Sequence, residues 1–309
     1  MGLKSRRALV QAKLETTYGI NPNPTAAVNA MLCNVTTPRP VVATSVDRNN
    51  IQAFMGQQGS VQVSANSAFE LEVEAQSSGT PGLPPAYSVL LRACGMAETI
   101  VEDESVMYTP VSDGFESVTL AFNLDGKNHV MTGCRGTLTY DGTPGQIAKW
   151  RFSLTGLEST VTDLPLASTA NYGAFLTPLA VNKQNTTMEL FGVVVPVHAF
   201  TLDLAQAVAY KNVINQEDVD INSRASTGSV THDNTLVAVK DWEGMAKAGT
   251  LGELTFQHGK TAGQIVEIFL PNVQYSEPQS GDTNGTATLQ ATLRVKPLQG
   301  NDEIQITFR

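Results

Sequence analysis

The sequence predicts a mainly β protein built as two tandem β-barrel or β-sandwich domains, each with one short flanking α-helix. Three observations carry this. Apolar and polar residues alternate in several long runs, the mark of strands with one buried face. The stretch "GTLTYDGTPGQIAKWRFSLTG" at Gly136 to Gly156 returns in altered form as "GELTFQHGKTAGQIVEIFLPN" at Gly252 to Asn272. Charged residues make up only 16% of the chain, so Thr, Ser, Asn, Gln and Gly must cover most of the surface, as in turn-rich β proteins.

Taken in order, "FELEVEA" turns Phe69, Leu71, Val73 and Ala75 to one side and Glu70, Glu72 and Glu74 to the other. A short helix follows over about 85–94. Pro85 stands at its start, Gly95 lies just past its end, and Tyr87, Leu90, Leu91 and Cys94 form one apolar stripe. "SVTLAFNLD" alternates Val118, Leu120, Phe122 and Leu124 with Thr119, Ala121 and Asn123. A second helix, about 240–248, spaces Trp242, Met245, Ala246 and Gly249 like the first. "TATLQATLRVKP" and "EIQITFR" complete the strands, burying Leu289, Ala291, Leu293 and Val295, then Ile304, Ile306 and Phe308. In the repeated stretch, Trp150 and Phe152 are expected beside the first helix stripe.

Each half therefore reads as strands, a short amphipathic helix, then Gly-x-Leu-Thr and Gly-Gln-Ile. That is a tandem duplication, with a first unit over 1–165 and a second over 166–309. The boundary falls in "TDLPLASTANYGAFLTPLAVNKQ", where turn residues interrupt the periodicity. The first unit alone carries an inserted hairpin, about 98–132, which includes Glu102, Asp103 and Glu104.

With 20 Lys and Arg against 29 Asp and Glu, the net charge is −9, and the excess of acid is spread over both halves. A basic face for gripping nucleic acid is not expected. The one local exception, Lys4, Arg6, Arg7 and Lys13, reads either as a solvated arm or as an arm that docks on an acidic neighbouring subunit. Three cysteines, Cys33, Cys94 and Cys134, have no CxxC spacing and point to a reducing compartment rather than a disulfide framework. No apolar leader and no run of about 18 apolar residues is present, and Arg6 breaks the myristoylation pattern of "MGLKSR". Synthesis in the cytoplasm without membrane insertion is the expectation.

Motifs of chemistry fail one by one. "HGKT" at His258 to Thr261 ends like a P-loop, but Leu254 stands where that loop needs glycine, and the context is a β-turn. "DVDINS" from Asp218 opens like a calcium loop, yet Ser223 replaces its turn glycine and Ser229 its bidentate acid. Glu102 to Glu104 reads as a solvated loop. His129, His198, His232 and His258 have no ligand spacing and read as strand or turn residues, and no Gly-x-Ser-x-Gly elbow occurs. No catalytic residue, metal or cofactor is expected, and the chain does not read as an enzyme.

The pieces "ALVQAKLETTYGINPNPTAAVNAML", "PPAYSVLLRACGM", "YTPVSDGFESVTLAFNLDGKNHVMTGCRGTL", "GQIAKWRFSLTG", "FTLDLAQAVAY", "AGTLGELTFQHGKTAGQIVEIFLPNVQY" and "GNDEIQITFR" resemble the major tail tube proteins of long, flexible, non-contractile phage tails. The resemblance runs from Ala8 to Arg309 as many weak motifs rather than one signature. It implies a structural virion protein, assembled in the bacterial cytoplasm into stacked rings that conduct DNA into the host. It also implies contacts with the tape measure protein and with tail terminator and distal tail proteins. Since such rings are similar in having six tube domains, a duplicated chain implies a trimer that imitates a hexamer, the alternative being true hexamers. DNA would pass without specific binding along an acidic lining, for which Glu70, Glu72 and Glu74 are the candidates. The other reading of the same residues is an ordinary solvent face. A different class, a carbohydrate-binding or host-adhesion β-sandwich, stays open. It would need exposed aromatics, and aromatics are 6% of the chain, mostly at core-facing positions.

Overall fold

The computed structural model describes residues 2–309. In chain order the first half supplies β1 (Ala8–Leu14), α1 (Ala26–Asn29), β2 (Ala30–Met31), β3 (Asn34–Asp47), β4 (Ser60–Glu74), α2 (Ser88–Ala93), β5 (Met96–Val101), β6 (Ser105–Pro110), β7 (Val118–Leu124), β8 (Lys127–Asp141), β9 (Lys149–Gly156) and β10 (Thr160–Asp163). The second half supplies β11 (Thr186–Leu190), β12 (Val197–Asp203), β13 (Gln206–Val213), β14 (Gln216–Arg224), β15 (Thr227–Asp233), α3 (Trp242–Ala248), β16 (Leu251–His258), β17 (Val266–Thr283), β18 (Thr286–Val295) and β19 (Gln305–Phe308). The chain is mainly β, 53% strand and 6% helix. Its sheets are large and antiparallel, and they do not close into a barrel.

Both sequence-predicted helices form, slightly shorter than their patterns. In α2 the stripe of Tyr87, Leu90, Leu91 and Cys94 is wholly buried, and Gly95 stops the helix in the left-handed region at φ 63°. In α3 the Asp241 side chain accepts a bond from the Gly244 N–H, Trp242 is buried, and Gly249 ends the helix at φ 63°. The additional helix, α1, buries nothing, so no apolar spacing announced it.

The sheet runs β3-β4-β9-β8 through the first half and continues into the second, because Thr139 to Asp141 of β8 pair with Asp203 to Thr201 of β12. From β12 it passes to β15, β18 and β17, with β16 and β11 on one flank of β17 and β19, β6 and β5 on the other. The first part of β8 instead pairs with β7 and β10, and β7 with β1, forming a second layer. Between the layers lies one apolar cluster that runs from Val10 to Phe308. As expected, Trp150 and Phe152 are buried against the α2 stripe. The Trp150 Nε1–H donates to the Tyr87 hydroxyl over 3.0 Å, and the Tyr87 and Phe152 rings lie 6.3 Å apart.

The quoted stretches fold as the same hairpin twice. In β8–β9, Leu138 pairs with Phe152 and Tyr140 with Trp150; in β16–β17, Leu254 pairs with Leu270 and Phe256 with Ile268. Both turns use a glycine at φ 84°, Gly145 and Gly263, a conformation that side chains resist. One strand departs from its pattern. β7 alternates in sequence but is buried on both faces, because its polar side is also covered: Thr119 donates to Glu15, and the Asn123 amide bonds Leu164 O and Gly126 N–H. The segment 98–132 contributes most of β5, all of β6 and β7, and the start of β8; β6 joins β19, and β7 joins β1.

Candidate assembly surfaces

Along β4, Phe69, Leu71, Val73 and Ala75 face the core, and Glu70, Glu72 and Glu74 share the opposite, half-exposed face. Register across to β9 sets Ser153, Arg151 and Lys149 opposite those three glutamates in turn. Arg151 holds Glu72 at 2.6 Å and Lys149 holds it at 3.5 Å, and the Glu72 side chain is only 13% exposed. The Arg151 hydrogen bond holds the Glu72 carboxyl below its ordinary pKa. Glu70 accepts from the Thr37 hydroxyl at 2.9 Å. The face is therefore not a bare acidic stripe: two cations converge on Glu72, while Glu70 lies opposite Ser153. Local alternation located the glutamates; only cross-strand register reveals the cations beside them.

On the outer side of β4, β3 is an edge strand with features that discourage further pairing. Pro38 and Pro40 lack N–H donors, and the register slips at Val35/Thr37, Arg39/Val42 and Thr44/Ser45. Past these prolines the β3–β4 ribbon leaves the body as an arm. Val46, Val61 and Val63 are exposed along it, and Ile51, Phe54 and Met55 at its tip are 103%, 72% and 102% exposed. Asp47 and Arg48 are the only charged residues between Pro40 and Phe69. Far along the sheet, the five-residue β11 forms another edge, paired with β16 on one side only.

The remaining sequence candidates have structural places. His258 ends β16, bonded to Thr186 and to Leu179 O, so "HGKT" is a strand end and turn. In the "DVDINS" stretch, β14 buries Val219 and Ile221. Glu102 to Glu104 form the exposed turn of the β5–β6 hairpin. His232 is fully buried between Asp233 O and the Tyr275 hydroxyl, and His198 pairs with Asp233 at 2.7 Å. Among the described residues no cluster of His, Cys, Asp or Glu could hold a metal ion, and no helix is long and apolar enough to cross a membrane. Part of the basic N-terminal segment is tied to its own chain: Arg7 pairs with Asp125 at 2.9 Å, and Lys13 bonds Pro22 O.

Sequence reasoning missed the buried polar ties that lock distant segments. Glu15 accepts from Ser117, Thr119 and the N–H groups of Gly19 and Gly133. Arg135 lies 4.7 Å over the Tyr18 ring and bonds Phe115 O and Val219 O. Arg224 pairs with the buried Glu303. Apart from the Gly19 and Phe115 contacts, these partners lie 79 to 118 residues apart and leave no trace in local periodicity.

These features define a class: an open-edged β protein with exposed apolar projections. The family model for phage tail tube protein matches residues 5–307, and the chain belongs to that family. It is a structural component of the bacteriophage tail, and members of the family assemble into a tube with other tail proteins. No curated protein matches the chain.

Proposed function

We propose that this chain is the major tube subunit of a long, non-contractile tail, stacking as rings around a channel through which DNA reaches the host. Three chains would form a ring, each contributing two tube units over 1–165 and 166–309. The observation that carries this is the repeated hairpin, β8–β9 and β16–β17, set into one sheet that crosses between the halves. Two such units per chain supply six per ring from three chains, and a closed ring satisfies sheet edges that would otherwise aggregate. Assembly would occur in the host cytoplasm, with the tape measure, terminator and distal tail proteins as partners. Cryo-EM of the assembled tube tests the count: three-fold rings with two unlike units alternating around the channel are expected, and six copies of this chain per ring would overturn it.

Glu70, Glu72 and Glu74 are proposed to face that channel. Arg151 and Lys149 both bind Glu72, so the face has three carboxylates to two cations, and a conduit needs a wall that gives phosphates no uncompensated cation to hold. Replacing Glu70 and Glu74 by Lys, while leaving Glu72 in its ion pairs, should preserve folding and slow genome ejection. Ejection at the wild-type rate would remove these glutamates from the channel.

A further inference from the structure

Between β15 and β16 the chain leaves the sheet for residues 234–250, a strap that contains α3. Trp242 is the only buried residue in it, and Leu236, Val237 and Val239 are 79%, 68% and 56% exposed. Met245 and Ala246 lie half-buried against the core. Among the described residues two hydrogen bonds tie the strap to the body. The Asn234 N–H donates to Ala287 O at 2.8 Å, and the Lys240 ammonium donates to Phe191 O at 2.8 Å.

Trp242 enters a socket of rings. Its centre lies 4.5 Å from that of His232 and 5.3 Å from that of Tyr275, and both of those side chains are wholly buried. The socket fixes the state of the imidazole. His232 Nδ1 lies 2.8 Å from Asp233 O, a carbonyl that can only accept, so Nδ1 carries the hydrogen. Nε2 then accepts from the Tyr275 hydroxyl at 3.0 Å, and the neutral ring is satisfied at both nitrogens. A proton added at Nε2 would force that hydroxyl to turn its own hydrogen away, with no other partner for it among the described residues. It would also place a charge out of reach of water. Burial accordingly lowers the His232 pKa. The groups around it do not offset this. The Asp233 carboxylate favours a charged ring but is shared with His198 of β12 at 2.7 Å, and a charged His198 opposes it. β17 presents Tyr275, β18 sets Leu289 opposite His232, and α3 contributes Glu243, exposed, whose charge reaches Tyr275.

We infer that residues 234–250 form an acid-released strap, with Trp242 as its latch and His232 as its trigger. Lifting the strap gives up one buried side chain, two half-buried ones and two hydrogen bonds. It admits water to His232, while the strands beneath keep their own pairing. The closed state has the lowered His232 pKa, and the open state has the ordinary value of about 6.5. The closed strap is therefore most stable above that value and weakens as pH falls through it, by at most about tenfold in the opening equilibrium per pH unit. Release adds Trp242 to the apolar residues already exposed, so acid changes what this surface offers a partner. The device does not depend on the tube reading.

Hydrogen exchange of the full-length chain tests it, read as protection relative to the unstructured rate at each pH. Between about pH 7.5 and about pH 5, protection of residues 244–250 should fall by up to about tenfold per unit below the ordinary histidine value, while β8–β9 and β16–β17 stay better protected. In His232→Gln, strap protection should be equal at both ends of that range. His198→Gln, changed at a half-buried side chain, should keep the wild-type dependence, and it keeps the test decisive if His232→Gln does not fold. The proposal is overturned by strap protection that ignores pH, or that matches the hairpins at every pH. It is equally overturned by a pH dependence that survives in His232→Gln or is lost in His198→Gln.

Discussion

The β8–β9 and β16–β17 hairpins share a sequence pattern, a register and a turn glycine, yet they are built into different surroundings. The first lies inside the sheet, with β4 along β9 and β12 along the end of β8. It carries the larger side chains: Tyr140, Trp150 and Phe152 against Phe256, Ile268 and Leu270. The second lies toward an edge, with only β11 beyond β16, and its β17 divides its far side between β19 and β18. The two meet in the core, where the Tyr140 and Phe256 rings are 5.5 Å apart, edge to face. Even the shared glycines answer to different neighbours. A side chain at Gly136 would strike Ser153 O on the next strand, and one at Gly252 would strike the Phe191 ring. Local sequence decides that a hairpin forms; its neighbours decide which residues it can hold.

The strongest way to break this comparison is to empty each hairpin. Phe152→Ala should cost about 3–5 kcal/mol and Leu270→Ala about 2–5 kcal/mol, from lost burial and the cavity left behind. Because one apolar cluster spans both, each variant should unfold in a single calorimetric transition with equal calorimetric and van't Hoff enthalpies. Two separated transitions would mean that the halves are independent cores. A loss below about 1 kcal/mol at either site would mean that its packing is not as described.

Acid sharpens the comparison next, because His258 ends β16 where the first hairpin has Gly142. Burial lowers the pKa of His258 and of His232. The unfolded chain therefore takes up protons first, and stability falls as pH drops through the ordinary histidine value of about 6.5. Each group contributes at most about 1.4 kcal/mol per pH unit below that point. Thermal scans from pH 8 to pH 5 should show this decline, shallower in His258→Asn. An unchanged slope in that variant would mean that His258 takes up its proton without unfolding.

The smallest effect is expected where the hairpins differ by one atom. The Tyr140 hydroxyl is buried without a partner, and the matching residue is Phe256. Tyr140→Phe removes an unsatisfied polar group, so it should be neutral or stabilising, by no more than about 1–3 kcal/mol. Chemical denaturation measures it directly. A destabilised variant would mean that the hydroxyl is solvated in the assembled or free protein.

Much of this was legible in the residues. The repeated stretch announced the two hairpins, the stripe from Tyr87 to Cys94 announced α2, and the alternation around Glu72 separated core face from open face. What stayed hidden depended on pairing at long range. Thr119 and Asn123 looked solvent-facing until Glu15 and the carbonyl of Leu164 were brought over them. The glutamates of β4 looked unopposed until register set Lys149 and Arg151 across from two of them. α1 buries no side chain, so periodicity had nothing to detect.

One pairing also governs the order of events at synthesis. β6 finds its partner in β19, so Val106 to Tyr108 wait for Phe308 to Ile306, made about 200 residues later. Until those residues leave the ribosome, the β6 edge and the early stretch of β17 both lie open, and the loop to be closed between them is most of the molecule. Folding of the first half is thus completed by the last strand of the second. A chain that lacks Ile306 to Phe308 therefore keeps two strand edges unpaired, each open to contact with another strand.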